Sequence, residues 1–138
     1  RLVGSEMCIR DRFKLANEGF FMSSSNKKLS KESCEACSAD AVRLTAVEEN
    51  SLLQDLPLWD INTQQGIHQI SRIYAFDDFQ QALKFANQVG EIAESVGHHP
   101  AILVEWGKVK VTWWSHEIAG LHKNDFIMAS RTDDIFER

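Results

Sequence analysis

Between residues 77 and 96 the apolar side chains recur at helical steps, more regularly than anywhere else in the chain. Phe79, Ala82, Ala86, Val89, Ala93 and Val96 are three or four apart, and Leu83 broadens the stripe. That spacing predicts one amphipathic helix. Asp77 or Asp78 is placed to cap its start. Gly97 can end it in a left-handed conformation that other residues reach only with strain. A helix of about five turns needs a broad apolar surface to cover, and the segments on either side supply one.

Residues 108–114 alternate strictly, with Val109, Val111 and Trp113 on one face and Lys108, Lys110, Thr112 and Trp114 on the other. This is the period of a half-buried strand. Residues 101–106 form its partner across Gly107. If the alternation continues, His116 shares a face with Lys110, Thr112 and Trp114. Before the long helix, residues 59–62 start a strand, Thr63-Gln64-Gln65-Gly66 is turn-like, and residues 68–74 resume as a strand. There Ile70, Arg72 and Tyr74 share one face and Ile73 takes the other. A short helix is expected over 45–55, with Thr45 and Glu48 at capping-box spacing. Val47, Leu52, Leu53 and Leu56 form its buried side, and Pro57 stops it. Gly120 marks a loop. Asn124 or Asp125 then caps a last helix that turns Phe126, Ile127, Ala129, Ile135 and Phe136 inward. Two hairpins with helices before, between and after them predict an α+β fold, a four-stranded antiparallel sheet with helices on one face.

A chain of 138 residues is one domain in length and buries enough surface to need neither metal nor disulfide for its core. Its net charge is −5 and its pI about 5.5. That balance argues against a nucleic-acid partner or an anionic membrane. No apolar run reaches the roughly 20 residues that span a bilayer, and the start lacks a signal-peptide pattern, so a cytoplasmic location is expected.

Residues 1–12 resemble a translated sequencing-library adaptor, and Met22 is the expected start. Residues 1–40 are expected to be a disordered or artefactual tail, with the folded domain at 41–138. Cys34-Glu-Ala-Cys37 is a lone Cys-x-x-Cys pair. With no second pair it makes a weak metal or redox signal.

The densest chemistry runs from Glu94 to Asp125 and holds four of the chain's five histidines. His98 and His99 follow the long helix in a Gly-His-His-Pro run; His116 follows the last strand. Three readings apply. Three imidazoles can hold a catalytic zinc with one open position, but adjacent histidines point apart in extended chain, and there is no His-x-x-x-His pair on a helix, so no metal is expected. Imidazoles near one pocket can move protons near neutral pH. Alternatively, each histidine is a structural residue at the end of an element. Ser115 beside His116 does not by itself make a triad.

The pattern Glu94-x-x-x-His98-His99-Pro100, the aromatic Trp106, then Ser115-His116-Glu117-x-Ala119-Gly120-Leu121 and Asp125 resembles the pterin-4a-carbinolamine dehydratase family. The run from Glu105 to His116 and the Cys34–Cys37 pair are similar to its gammaproteobacterial branch. Animal members carry a tryptophan shortly after the proline, where this chain has Ile102.

The resemblance implies the same α+β layer. It also implies loss of water from a 4a-hydroxy-tetrahydropterin to give the quinonoid dihydropterin, which recycles the cofactor of an aromatic amino acid hydroxylase. The pterin is the substrate, and no cofactor is expected. By that likeness His98 and His116 act in proton transfer and His99 binds and orients the ring and shares the acid-base role. Gly97, Trp114, Ser115 and Glu117 line the ring site, while Glu94 and Asp125 position imidazoles or loops. The implied partners are phenylalanine hydroxylase and further copies of the chain, as a homodimer or homotetramer, with an open sheet edge as a route to assembly. A non-catalytic module that binds a hydroxylase or a transcriptional regulator is the alternative.

Overall fold

The structure is a computed structural model, and it describes residues 29–34 and 41–138. Among these, the order is α1 (Ala46–Leu53), β1 (Asp60–Gln64), β2 (Ile67–Ala75), α2 (Phe79–Val96), β3 (Ala101–Glu105), β4 (Lys108–Trp113) and α3 (Lys123–Glu137). The strands form one antiparallel sheet in the order β1-β2-β4-β3. This is the expected α+β architecture. The two hairpins meet at its centre, where Ile70 pairs with Trp113 and Tyr74 with Val109.

Alternation selects the buried face. Ile70, Tyr74, Val109, Val111 and Trp113 are all at or below 1% exposure and point toward the helices. Ile73 and Leu103, on the opposite face, stay exposed. Helix α2 packs against β3 and β4, and α3 against β2 and β4. The β1–β2 turn is tighter than expected, because Gln64 already pairs with Ile67. Gln65 and Gly66 both take positive φ, which suits the right-handed twist of a two-residue hairpin.

Helix α1 has the predicted capping box between Thr45 and Glu48, but its faces differ from expectation. Val47 is exposed, and Glu49 is buried, accepting a hydrogen bond from His68 Nδ1 at 3.0 Å. A carboxylate with a partner can be buried where the apolar pattern offers no hint of it. In α2, capped by Asp78 and ended by Gly97 at φ 68°, the buried stripe is Ala82, Phe85, Ala86, Val89 and Ala93. Phe79 and Leu83 are exposed instead. Leu83 lies about 100° around the helix from Ala82, outside the face that meets the sheet. Phe85 joins Tyr74, Phe76 and Phe136 in an aromatic cluster.

Helix α3 is buried on most of its circumference, including Ser130, Thr132 and Asp133. Asp133 accepts from Trp59 Nε1, Tyr74 Oη and Arg72, and the Arg72 guanidinium lies over the Tyr74 ring. Thr132 accepts from Trp113 Nε1 and donates to Met128 O. Residues 29–33, expected within the flexible tail, are packed: Leu29 is in the core, and Arg131 donates to the carbonyls of Ser30 and Glu32. Cys34 packs against the core. The adaptor-like residues 1–12, Met22 and Cys37 lie outside the described residues.

Burial pushes the Asp133 carboxyl above its usual range, against the opposing pull of Arg72, Tyr74 and Trp59. Burial and Asp133 together raise the Tyr74 phenol well above its own range, so it remains a donor at neutral pH. Two outcomes are expected. Asp133→Ala strands the Arg72 charge and two buried donors, and should lower stability by about 3 kcal/mol or more in urea unfolding; a loss under about 1 kcal/mol would show that the network holds little. A raised carboxyl favours its protonated form in the folded state. Its contribution is therefore fully present below the unfolded-state value and fades as pH rises through the folded one. The stability of the wild type relative to Asp133→Asn should accordingly fall as pH is raised from about 4.

Candidate functional site

Two segments leave the same end of the sheet. Residues 97–100 lead into β3, whose first residue, Ala101, pairs with Thr112. Residues 114–116 continue from Trp113, the last residue of β4. This antiparallel pairing puts the Gly-His-His-Pro run beside the Trp-Ser-His run. The start of α3 closes the group from the third side.

His98 turns inward. Gly97 reverses the chain in the left-handed conformation, and the His98 N–H caps α2 on Ala93 O at 3.2 Å. Its ring is buried and stacks on Trp113 with centroids 5.6 Å apart and planes 16° apart. Its Nε2 donates to Asp125 Oδ1 at 2.7 Å. His99 turns outward. It is exposed, and its Nε2 meets Glu94 Oε1 at 2.8 Å. Glu94 is itself highly exposed, so water screens this pair.

His116 stands on a tight loop. Ser115 and Gly120 exchange backbone hydrogen bonds at 2.8 and 3.3 Å, and Ala119 takes φ 50° between them. The bridge turns His116 and Glu117 to solvent and buries Ile118 and Leu121. The His116 ring packs on half-buried Trp114, with centroids 4.3 Å apart. An added Cβ at Gly120 would come within 2.7 Å of Arg43 Cδ, so the exposed Arg43 side chain would have to shift to admit one.

Asp125 binds the group together. It is fully buried. Besides His98, it accepts from Ser115 Oγ at 2.8 Å and from the His122 N–H at 2.9 Å. One carboxylate thus joins the end of α2, the end of β4 and the start of α3.

The sequence-derived residues therefore fall into two sets. His98, Ser115 and Asp125 form a buried, hydrogen-bonded cluster. His99, His116, Glu117, Glu94 and Gly97 face solvent, with Trp114 between the two sets. Among the described residues, no three His, Cys, Asp or Glu side chains converge in a way that could hold a metal ion. A cleft of about 610 Å³ lined by Ser30, Lys31, Ile92, Arg131, Asp134 and Arg138 lies toward the other end of α3 and includes none of the motif histidines.

Two neighbours of the site were not among the residues expected there. His122, rather than Asn124 or Asp125, is the N-cap of α3, with its Nδ1 accepting from the Asn124 N–H. Its place three residues before Asp125 is capping-box spacing, a signal obscured by the residue type. Arg43 reaches the loop from a distant part of the chain, and no local pattern marks it.

Replacing Asp125 with Ala would leave three donors, from Ser115, His98 and His122, without their acceptor. At about 1–3 kcal/mol for each buried unsatisfied group, a loss of 3 kcal/mol or more is expected in urea unfolding, along with a changed near-ultraviolet signal from Trp113. A variant as stable as the wild type would show that the three elements are joined by other means.

The chain matches the family described as "Pterin 4 alpha carbinolamine dehydratase" over residues 42–135. A protein of Marinobacter nauticus named "Putative pterin-4-alpha-carbinolamine dehydratase" is 54% identical over 108 residues, covering 78% of this chain and 97% of the relative. Among solved structures, the "transcriptional coactivator/pterin dehydratase" of Brucella melitensis is 33% identical. It covers 68% of this chain and 98% of its own, with a TM-score of 0.61. A pterin dehydratase-like protein described as a RuBisCO assembly factor is 19% identical, covering 56% of this chain and 87% of its own at a TM-score of 0.48, a likeness too weak to carry an argument.

Proposed function

The chain belongs to the pterin 4 alpha carbinolamine dehydratase family, and from that premise we propose how its histidines serve the reaction. The activity is that of a hydro-lyase: a 4a-hydroxy-tetrahydropterin loses water and becomes the quinonoid dihydropterin. The C4a–O bond breaks, the departing hydroxyl takes up a proton, and N5 gives up its own as the N5=C4a double bond forms. Electron donation from N5 stabilises the cation that develops, so modest acid-base help is sufficient.

His99 and His116 are the pair that moves these protons. The observation that carries this reading is that both imidazoles face solvent on adjoining segments, each beside one neighbour, Glu94 for His99 and Trp114 for His116. An exposed imidazole can meet a bound ring; a buried one cannot. His98, stacked on Trp113 and bonded to Asp125, is therefore moved from proton transfer to a supporting role. It fixes the turn from which His99 projects. Ser115, also held by Asp125, anchors the root of the His116 loop in the same way. Gly97, Trp114 and Glu117 border the ring.

In this reading the reaction recycles the pterin cofactor of an aromatic amino acid hydroxylase, with phenylalanine hydroxylase as the partner enzyme, in the cytoplasm. Among the described residues no helix is long and apolar enough to cross a membrane. Dimers or tetramers would form through the exposed sheet face or the free edge of β3, where Ile73 and Leu103 are open to solvent.

The test is a direct assay with synthetic 4a-hydroxy-tetrahydropterin, with chelator present. The protein should speed water loss. His99→Ala and His116→Ala should each cut the catalysed rate by about 10²-fold or more while leaving circular dichroism unchanged. Wild-type rates in both variants would end the assignment of proton transfer to these two residues. Loss of the rate on chelation would replace it with metal-assisted chemistry.

A further inference from the structure

Strand β3 is an edge of the sheet, and its free side has a defined phase. The Phe76 N–H bonds to Gly107 O, so Gly107 and then, by alternation, Val109, Val111 and Trp113 turn their peptide groups to β2. Lys108, Lys110 and Thr112 turn theirs to Glu105, Leu103 and Ala101, their partners on β3. Ile102 and Val104 are left with N–H and C=O pointing away from the sheet. The opposite edge, β1, is polar, with Asp60, Asn62 and Gln64. Strand β3 carries Ala101, Ile102, Leu103 and Val104, with no lysine or proline to block pairing.

Helix α2 lies over this edge. It packs on β3 and β4 and, by one flank, on α3, where Phe85 meets Phe136. Phe79, Leu83, Gly90 and Glu94 fall on the other flank, within about 60° of one another around the axis. Phe79 and Leu83 are exposed, and a Cβ on Gly90 would meet nothing within 4 Å. A glycine in a helix interior weakens the helix. An open flank in one chain gives no reason for it; a second helix at close range does.

We propose that a second copy of this chain pairs with β3 about a two-fold axis at Leu103, and that its Trp106 completes the pterin site beside His99. The inference rests on the site assigned above. Its register follows from the outward groups. Pairing centred on Leu103 sets Ile102 opposite the partner's Val104 and uses every outward N–H and C=O of the strand. Centring on Ile102 would set Val104 against Pro100, which has no N–H. Centring on Val104 would run into the turn at Trp106. With Leu103 at the axis, Glu105 faces Ala101 and is paired with its own Lys108, so no like charges meet along the strand.

The antiparallel sense brings the turn of one copy to the Gly-His-His-Pro run of the other. The partner's Trp106 falls opposite Pro100, next to His99. Phe79 stands at the same end as Trp106, three residues after Phe76, which bonds the turn. Trp106 is 71% exposed in one chain, although an indole has a large apolar area to bury. A flat bicyclic ring binds in a concave, mostly apolar site. The residues assigned above supply Trp114 on the β4 side. The partner's Trp106 supplies a wall on the β3 side.

The test has two arms. Sedimentation reads assembly without reference to activity, and the wild type should be a dimer. Leu103→Asp and Leu103→Lys change a side chain that is exposed in one chain. Each should give monomers with unchanged circular dichroism, because like charges meet at the axis; mixed together, the two should dimerise. A monomeric wild type, or Leu103 variants that both stay dimeric, would overturn the interface. The second arm is complementation. Trp106→Ala should lose about tenfold or more in kcat/KM. Mixed in equal amounts with His99→Ala, it forms mixed dimers in which one site holds both native residues, so about a quarter of the wild-type rate should return. No recovery, with mixed dimers verified by mass spectrometry, would overturn the shared site. If the wild type dehydrates no pterin, the functional assignment fails and the shared site with it, while the Leu103 variants still decide the interface.

Discussion

A single buried carboxylate fixes the arrangement of the segments that carry the motif histidines. Asp125 sits at zero exposure with three donors on its two oxygens, one each from the end of α2, the end of β4 and the start of α3. A charge removed from water is tolerated only where hydrogen bonds replace its hydration. The three donors must therefore be where they are, and the segments that carry them must meet. None of the three segments is held there by apolar packing alone: a chain reversal after a helix, a loop after a strand and the first turn of a helix each end in polar backbone.

The same requirement divides the adjacent histidines. Side chains of neighbouring residues in extended chain point in opposite directions, so a His-His pair at the edge of a core sends one ring in and one out. Here His98 goes in, to Asp125 and the Trp113 face, and His99 goes out, to Glu94. The inner ring is buried between Trp113 and Asp125; the outer ring is open to solvent, paired with an exposed carboxylate.

Local pattern carried most of the architecture. The strict alternation over Lys108 to Trp113, the long helical stripe before Gly97 and the Thr45–Glu48 box all correspond to elements that form, because each shows in the period or spacing of its own residues. What pattern missed was polar burial. Glu49, Thr132 and Asp133 are buried because His68, Trp113, Trp59, Tyr74 and Arg72 supply partners, and those partners are distant in sequence. Leu29 was misplaced for a similar reason: an apolar residue in a polar run gives no sign that the core takes it up. At the motif, spacing carries no information on depth. The likeness gave His98 and His116 to proton transfer and His99 chiefly to binding the ring, whereas the fold buries His98 and leaves His99 and His116 exposed.

Helix α3 carries two inward carboxylates with opposite surroundings. Asp133, in the middle of the core, is opposed by burial and shares its charge with Arg72 and two neutral donors; it ties the helix to β2 and to the chain before β1. Asp125, two turns earlier, ties the same helix to the segments that carry the motif. The helix thus has a fixed point in the core and a second one at the site. Both carboxylates thus bear on stability, Asp133 by holding α3 to the core and Asp125 by holding it to the segments that carry the motif.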